Sequence, residues 1–347
     1  NMAVTASYQS TLTQFSLNVT VVGTGSYIAD PEPIIATYDT NTTVVLTANA
    51  ALGWTFDGWT GDLTSAAMVD SVVMDADKNI TLTFVEDQVP GGVLEIDDSW
   101  DLMDAVDYAN NNSTVNTLKL TTSGGVYTSL LSGTVQVKVP LNIVAADSLA
   151  EKPIISNTNP DGTQGTIDIL RVFDDIMIEG VIIDGSTTYS AGMKYAVRYS
   201  NSTAPDTVKW GSNAIFKNVD FRHLYDDANP LGDGHAFKLD KEMILGEVRF
   251  EDCTFNDIGY EAIRISDTEK WVTDRCFDSL IVRNCTFTNI DAEGIRYYSD
   301  LDPTTPDAPV IVEHLTFNNS ATRTMYLKNS GGAIVRDIII ANPRMSG

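Results

Sequence analysis

The chain has 347 residues, 43% of them hydrophobic and 9% aromatic, enough to bury a large core and to form two domains. Its 22 Lys and Arg against 47 Asp and Glu leave a net charge of −25. Such acidity excludes nucleic-acid or anionic-membrane binding by the whole surface, and it makes any local cluster of cations conspicuous.

No run is long or apolar enough to span a bilayer, and no segment reads as an export signal at the start of the numbering. The three cysteines lack zinc spacing, and at least one is unpaired in the monomer that we expect.

Residues 1–14 are polar and read as a linker or tail. From 15 to 86 runs an all-β pattern of alternating strands broken by Gly, Pro and Asp-rich turns. It contains Gly53-Trp54-Thr55-Phe56-Asp57-Gly58-Trp59 and Val73-Met74-Asp75-Ala76-Asp77-Lys78-Asn79-Ile80. These stretches resemble the bacterial repeat domains related to internalin B-repeats, which implies a spacer or attachment module in a secreted or surface protein of a bacterium. Trp54 and Trp59 are expected in the small core of this domain rather than as a sugar platform.

Residues 87–92, with Pro90-Gly91-Gly92, form the linker to a second domain over 93–347. Leu102, Ala105, Val106 and Ala109 recur at helical spacing, with Asp98 or Ser99 as cap. This short helix is predicted to cover the open end of the second domain, where core and strand edges would otherwise be exposed. The order of cap helix, strand, Gly124-Gly125-Val126-Tyr127 and strand resembles the opening coils of pectate-lyase-type β-helices.

The rest of the second domain is a repeat. Ile169-Leu170-Arg171-Val172, Ala196-Val197-Arg198-Tyr199, Ala236-Phe237-Lys238-Leu239, Ala262-Ile263-Arg264-Ile265, Gly294-Ile295-Arg296-Tyr297 and Thr324-Met325-Tyr326-Leu327 line up at a period of about 30. A second strand comes after each, such as Phe216–Phe221, Phe250–Phe255 and Val282–Phe287. Two alternating strands per unit, rich in Val, Ile, Phe and Thr, predict an all-β solenoid, a right-handed parallel β-helix. Cys253 and Cys285 fall at one core-facing position of consecutive coils and are expected as stacked buried thiols. Inserted loops, the longest near 200–211, are expected to wall a groove.

Alternation sends the apolar neighbours inward and Arg171, Arg198, Lys238, Arg264 and Arg296 outward in one column, with rungs about 4.8 Å apart. The small residues two positions before the column, Ala196, Ala236, Ala262, Gly294 and Thr324, are expected outward too, as a shelf beside the cations. Two cations at that spacing repel by roughly 0.8 kcal/mol in water and about 3 kcal/mol at an effective dielectric of 20. A structural face has no reason to accept this, so the column predicts a groove for an acidic polymer. Glu261 and Glu293, three positions before their arginines, neutralise part of it.

The densest constellation is Gly232-Asp233-Gly234-His235-Ala236-Phe237-Lys238-Leu239-Asp240-Lys241, with Tyr260-Glu261-Ala262-Ile263-Arg264 one coil later. Over these two coils the chain resembles the β-helical polysaccharide lyases of family six, which include alginate lyases and chondroitinase B. The resemblance implies β-elimination on a uronate chain, with a lysine base at Lys241 or Lys238 and Arg264 as carboxylate clamp and acid. It also implies calcium, but the second acidic ligand falls at His235, so the metal and any cofactor stay open.

The chemistry agrees with these residue types. A lysine acts as base only when neighbouring cations lower its pKa, and arginine binds a carboxylate in bidentate fashion. Arg198 and Arg296 would hold adjacent sugars, with His235, Tyr260 and Tyr298 as further substrate-binding or acid–base groups. The expected protein is a secreted or surface lyase of alginate or a chondroitin-like glycan; the alternative is an acidic-glycan adhesin that does not cut. A hydrolase using Asp233 and Asp240 ranks below both.

Overall fold

The computed structural model describes residues 13–33, 37–129, 133–156, 168–186, 193–200, 209–225, 233–240, 243–265, 276–297, 308–320, 323–327 and 332–343. It divides between Gln88 and Val89 into two compact units.

Besides a short antiparallel pair, Gln14–Phe15 with Tyr38–Asp39, the first unit holds two three-stranded sheets. One joins Leu17–Val22, Lys78–Glu86 and Trp54–Gly61; the other joins Gly25–Asp30, Thr43–Ala50 and Val69–Val73. Val44, Leu46 and Ala48 alternate into the core with Trp59, which is buried and donates from Nε1 to the Ala67 carbonyl. Trp54 packs against the same core. Both tryptophans thus serve packing.

The second unit is a parallel β-helix opened by a helix over Leu102–Asn111. Leu102, Ala105, Val106 and Ala109 are buried on the first coils, as their spacing predicts. The cap is Asp101, whose side chain accepts from the Met103 amide, rather than Asp98 or Ser99.

The coils from Val135 to Ile290 carry three strands each, not two, whereas the next keeps one continuous strand over Val310–Asn318. The expected strand over Phe216–Phe221 is broken into Ser212–Lys217 and Asp220–Leu224, and that over Phe250–Phe255 into Leu245–Glu251 and Thr254–Ile258. The break is a residue at positive φ: Asn218 at 52°, Asp252 at 56° and Asn284 at 53°. Asn and Asp tolerate this left-handed conformation better than other side chains, so they turn the chain between two faces. A second corner recurs at His223, Asp257, Asn289 and Asn319. There Asn289 donates to Asp257 at 2.7 Å and Asn319 to Asn289 at 2.6 Å, tying coil to coil.

The core is stacked in register. Phe216 lies on Phe250 with ring centroids 4.7 Å apart, and Phe221, Phe255, Phe287 and Phe317 form a second stack at 5.1, 4.5 and 4.7 Å. Each fully buried ring contributes about 2–3 kcal/mol by burial alone, so these columns fix the register of the coils that carry them. Cys253 and Cys285 are buried free thiols beside it, and Cys276, expected in a loop, is buried as well.

One face sets the functional geometry. It stacks Val135–Val137, Asp168–Val172, Tyr195–Tyr199, His235–Leu239, Ile263–Ile265, Glu293–Tyr297 and Arg323–Leu327 in a parallel sheet.

Candidate functional site

The register on this face pairs Arg171 with Arg198, Arg198 with Lys238, Lys238 with Arg264, Arg264 with Arg296 and Arg296 with Tyr326. The cationic column therefore exists. Parallel pairing keeps consecutive rungs about 4.8 Å apart.

The small shelf does not. Ala196, Ala236 and Ala262 are fully buried in the core, and a Cβ on Gly294 would meet Phe317 Cε1 at 2.4 Å. Strict alternation fails there because the strand is irregular. The amides of Ala236 and Phe237 both donate to the Ala262 carbonyl, as in a bulge, so two consecutive residues turn inward. The residue three before each cation then shares its side of the sheet.

Those residues are Asp168, Tyr195, His235, Glu261 and Glu293, all buried. Arg171 donates from Nε to Asp168 at 2.7 Å. Arg198 binds Asp240 at 2.6 and 3.0 Å and reaches Asp168 at 3.5 Å. Glu261 takes Arg264 at 3.1 Å and Arg296 at 2.7 Å, while Glu293 takes Arg323 at 2.8 Å. The basic ridge expected from the sequence is thus a ladder of cations laced with carboxylates. The repulsion that argued against a structural face is largely absorbed at the arginines.

It is not absorbed at Lys238. Among the described residues its nearest carboxylate, Asp240, stands at 3.9 Å, beyond hydrogen-bond distance. Nζ instead lies 3.4 Å from the Tyr195 hydroxyl and 4.5 Å from the centre of that ring. Burial first, and Arg198 and Arg264 next, hold the Lys238 amine below its ordinary pKa, against the pull of Asp240.

His235 stacks on Tyr195 at 5.4 Å and meets the edge of Tyr260 at 5.9 Å. Its Nδ1 donates to the Glu261 carbonyl at 2.8 Å. Burial and then Lys238 push it well below the usual imidazole range, so it is neutral and braces the site from beneath rather than facing solvent. Tyr260 is half-buried beside it. Lys241 and Tyr298 lie outside the described residues, as do most of the loops expected to wall the groove.

Two groups that the sequence pattern did not single out for this site, Tyr195 and Asp168, sit at its centre. The i−3 spacing that marked Glu261 and Glu293 would have found both.

The sequence left calcium open, and the side chains do not fit it. Asp233 accepts from Tyr195, Asp240 from Arg198, and Glu261 from two arginines. Among the described residues no group of three His, Cys, Asp or Glu is arranged to hold a metal.

A second column of the same solenoid offers an internal comparison. On the neighbouring sheet Glu179, Lys217, Glu251, Arg283, Glu313 and Arg336 are paired rung to rung. Their signs alternate without exception. There the Arg283 guanidinium forms an ion pair with Glu313, at 2.6 Å. The fold thus alternates charge along one ladder and repeats it along the other.

The family-model match ends at the boundary between the two units. Residues 16–88 match the divergent InlB B-repeat domain. The match falls within the first unit. No curated protein matches the chain. Among solved structures, a mutant of the PL6-family alginate lyase AlyGC is similar at a TM-score of 0.47 and 16% identity. The match covers 75% of this chain but 38% of that one. No helix among the described residues is long and apolar enough to cross a membrane.

Proposed function

We propose that the column around Lys238 binds a uronate-containing polysaccharide and cleaves it by β-elimination. The observation that carries this reading is Lys238 itself, a half-buried amine whose pKa is lowered by burial and by the arginines of the neighbouring rungs, one of which, Arg264, shares a carboxylate with Arg296. Elimination needs the sugar carboxylate neutralised, the adjacent proton removed and the departing oxygen protonated. Lys238, in its neutral form, removes the proton. Arg264 and Arg296, spaced by their shared Glu261, hold the carboxylate and stabilise the charge that develops on it. Arg198, bound on both sides by Asp168 and Asp240, is better suited to contacting hydroxyls than to adding net charge.

A second reading, binding without cleavage, is favoured by the same pairing, because Glu261 removes one charge of the two arginines beside it. The repeat domain supports secretion or surface display in either case. The test is incubation with polymannuronate, polyguluronate and chondroitin while ultraviolet absorbance follows unsaturated ends. Rising absorbance on one of them supports the lyase. Binding to one with no rise on any leaves the adhesin.

A further inference from the structure

Tyr195 belongs to no part of the elimination described above, yet its hydroxyl lies 3.4 Å from the proposed base. Its ring is 5% exposed and lies flat on His235, with planes 10° apart. Its hydroxyl stands between two partners of opposite charge. It donates to Asp233 at 2.9 Å, with the second carboxylate oxygen at 3.1 Å, and lies 3.4 Å from Lys238 Nζ as an acceptor.

Asp233 is fixed in turn. It accepts from the Gly234 amide at 3.0 Å, and Lys194 Nζ is 3.6 Å away. The three groups therefore form a continuous line from an amine whose side chain is 17% exposed to a carboxylate that is 29% exposed. A sugar chain lying on the column would cover the amine further.

We infer that Tyr195 and Asp233 are a relay that positions Lys238 and carries away the proton it collects. This deepens, and rests on, the reading of Lys238 as base. When Lys238 Nζ takes the proton, the electrons of the broken C–H bond form the new double bond and expel the glycosidic oxygen, which is protonated by water. The resulting ammonium then passes one proton to Tyr195 Oη while the phenolic proton passes to Asp233. Amine, phenol and carboxylic acid result, and Asp233 returns the proton to solvent. No oxidant, metal or further reactant enters. The tyrosine never needs to become a free phenolate, which suits a phenol pushed well up by burial and by the Asp233 charge. The long Lys238–Tyr195 contact is the kind that shortens when substrate is bound.

Two variants test this. Tyr195→Phe keeps the ring, its stacking on His235 and its place beneath Lys238, but removes the hydroxyl. Asp233→Asn keeps an acceptor for Tyr195 but takes no proton. On the polysaccharide that the wild type cleaves, both are expected to lose roughly 10²-fold in kcat with KM little changed. A kcat within twofold of wild type in both overturns the relay while leaving Lys238 as base. A second readout does not depend on turnover: the pH dependence of Lys238 acetylation by acetic anhydride, followed by mass spectrometry. A midpoint displaced in Tyr195→Phe supports coupling of the two groups even if no polysaccharide is cut. An unchanged midpoint overturns it.

Discussion

Glu261 offers the sharpest separation between a structural ladder and an anion site, because one substitution moves stability and binding in opposite directions. Its side chain is fully buried and accepts from Arg264 at 3.1 and 3.2 Å and from Arg296 at 2.7 Å. Glu261→Gln keeps one oxygen acceptor but removes the charge. The two guanidinium groups, on adjacent strands, then repel by about 3 kcal/mol at an effective dielectric of 20 and about 1 kcal/mol in water. Both arginines keep over a quarter of their side-chain surface in solvent, so the screened end of that range applies to the repulsion. Weakening two charge-assisted hydrogen bonds adds about 1 kcal/mol more. The β-helix should therefore lose about 2 kcal/mol in urea unfolding. The column gains one net positive charge, worth about 1 kcal/mol toward a polyanion, or roughly fivefold in Kd by titration calorimetry. A variant as stable as the wild type, or one that binds the polysaccharide more weakly, would refute the reasoning.

The same geometry sets three further outcomes. The rate of cleavage should rise with pH as Lys238 loses its proton, with a midpoint below the ordinary 10.5 of lysine, because burial and two guanidinium groups disfavour the charged form. Arg198→Ala should move that midpoint upward in a pH–rate profile, since it removes a neighbouring cation and frees Asp240; a midpoint that stays or falls contradicts the assignment. Gly294→Ala should cost about 1–3 kcal/mol in a thermal melt, because the new methyl meets the Phe317 ring in the core; an unchanged melting point would put residue 294 on the outside after all. Cys253, Cys276 and Cys285 should stay unreactive to an aromatic disulfide reagent until the protein unfolds, as all three are buried and burial pushes the Cys285 thiol well up; rapid colour in the native protein would contradict this.

The repeat was legible because period-two alternation and a recurrent Val/Ile/Phe core leave a strong pattern, and the cations at its centre fell into one register as expected. The errors have one physical origin. Alternation assumes an unbroken strand, whereas Asn218, Asp252 and Asn284 turn the chain at positive φ. The converging amides of Ala236 and Phe237 break it again beside the column. The first kind of break splits one expected strand into two; the second carries the small residues inward and brings Asp168, Tyr195 and Glu261 beside the cations. The Asn and Asp at corner positions, and the alternating Glu179, Lys217, Glu251, Arg283, Glu313 and Arg336, were written in the aligned coils. They carry no hydrophobic signal, so period-two alternation does not reveal them. That Glu261 takes two arginines while Lys238 stands 3.9 Å from its nearest carboxylate among the described residues was not legible, since it depends on side-chain reach between coils.

The most direct test of Lys238 as the base is the ultraviolet absorbance of unsaturated ends released by Lys238→Met, compared with wild type on the same acidic polysaccharide. The methionine matches the length of the side chain and removes only the amine. We expect no product above background, with binding retained through Arg264 and Arg296. Release at the wild-type rate would show that the base lies elsewhere.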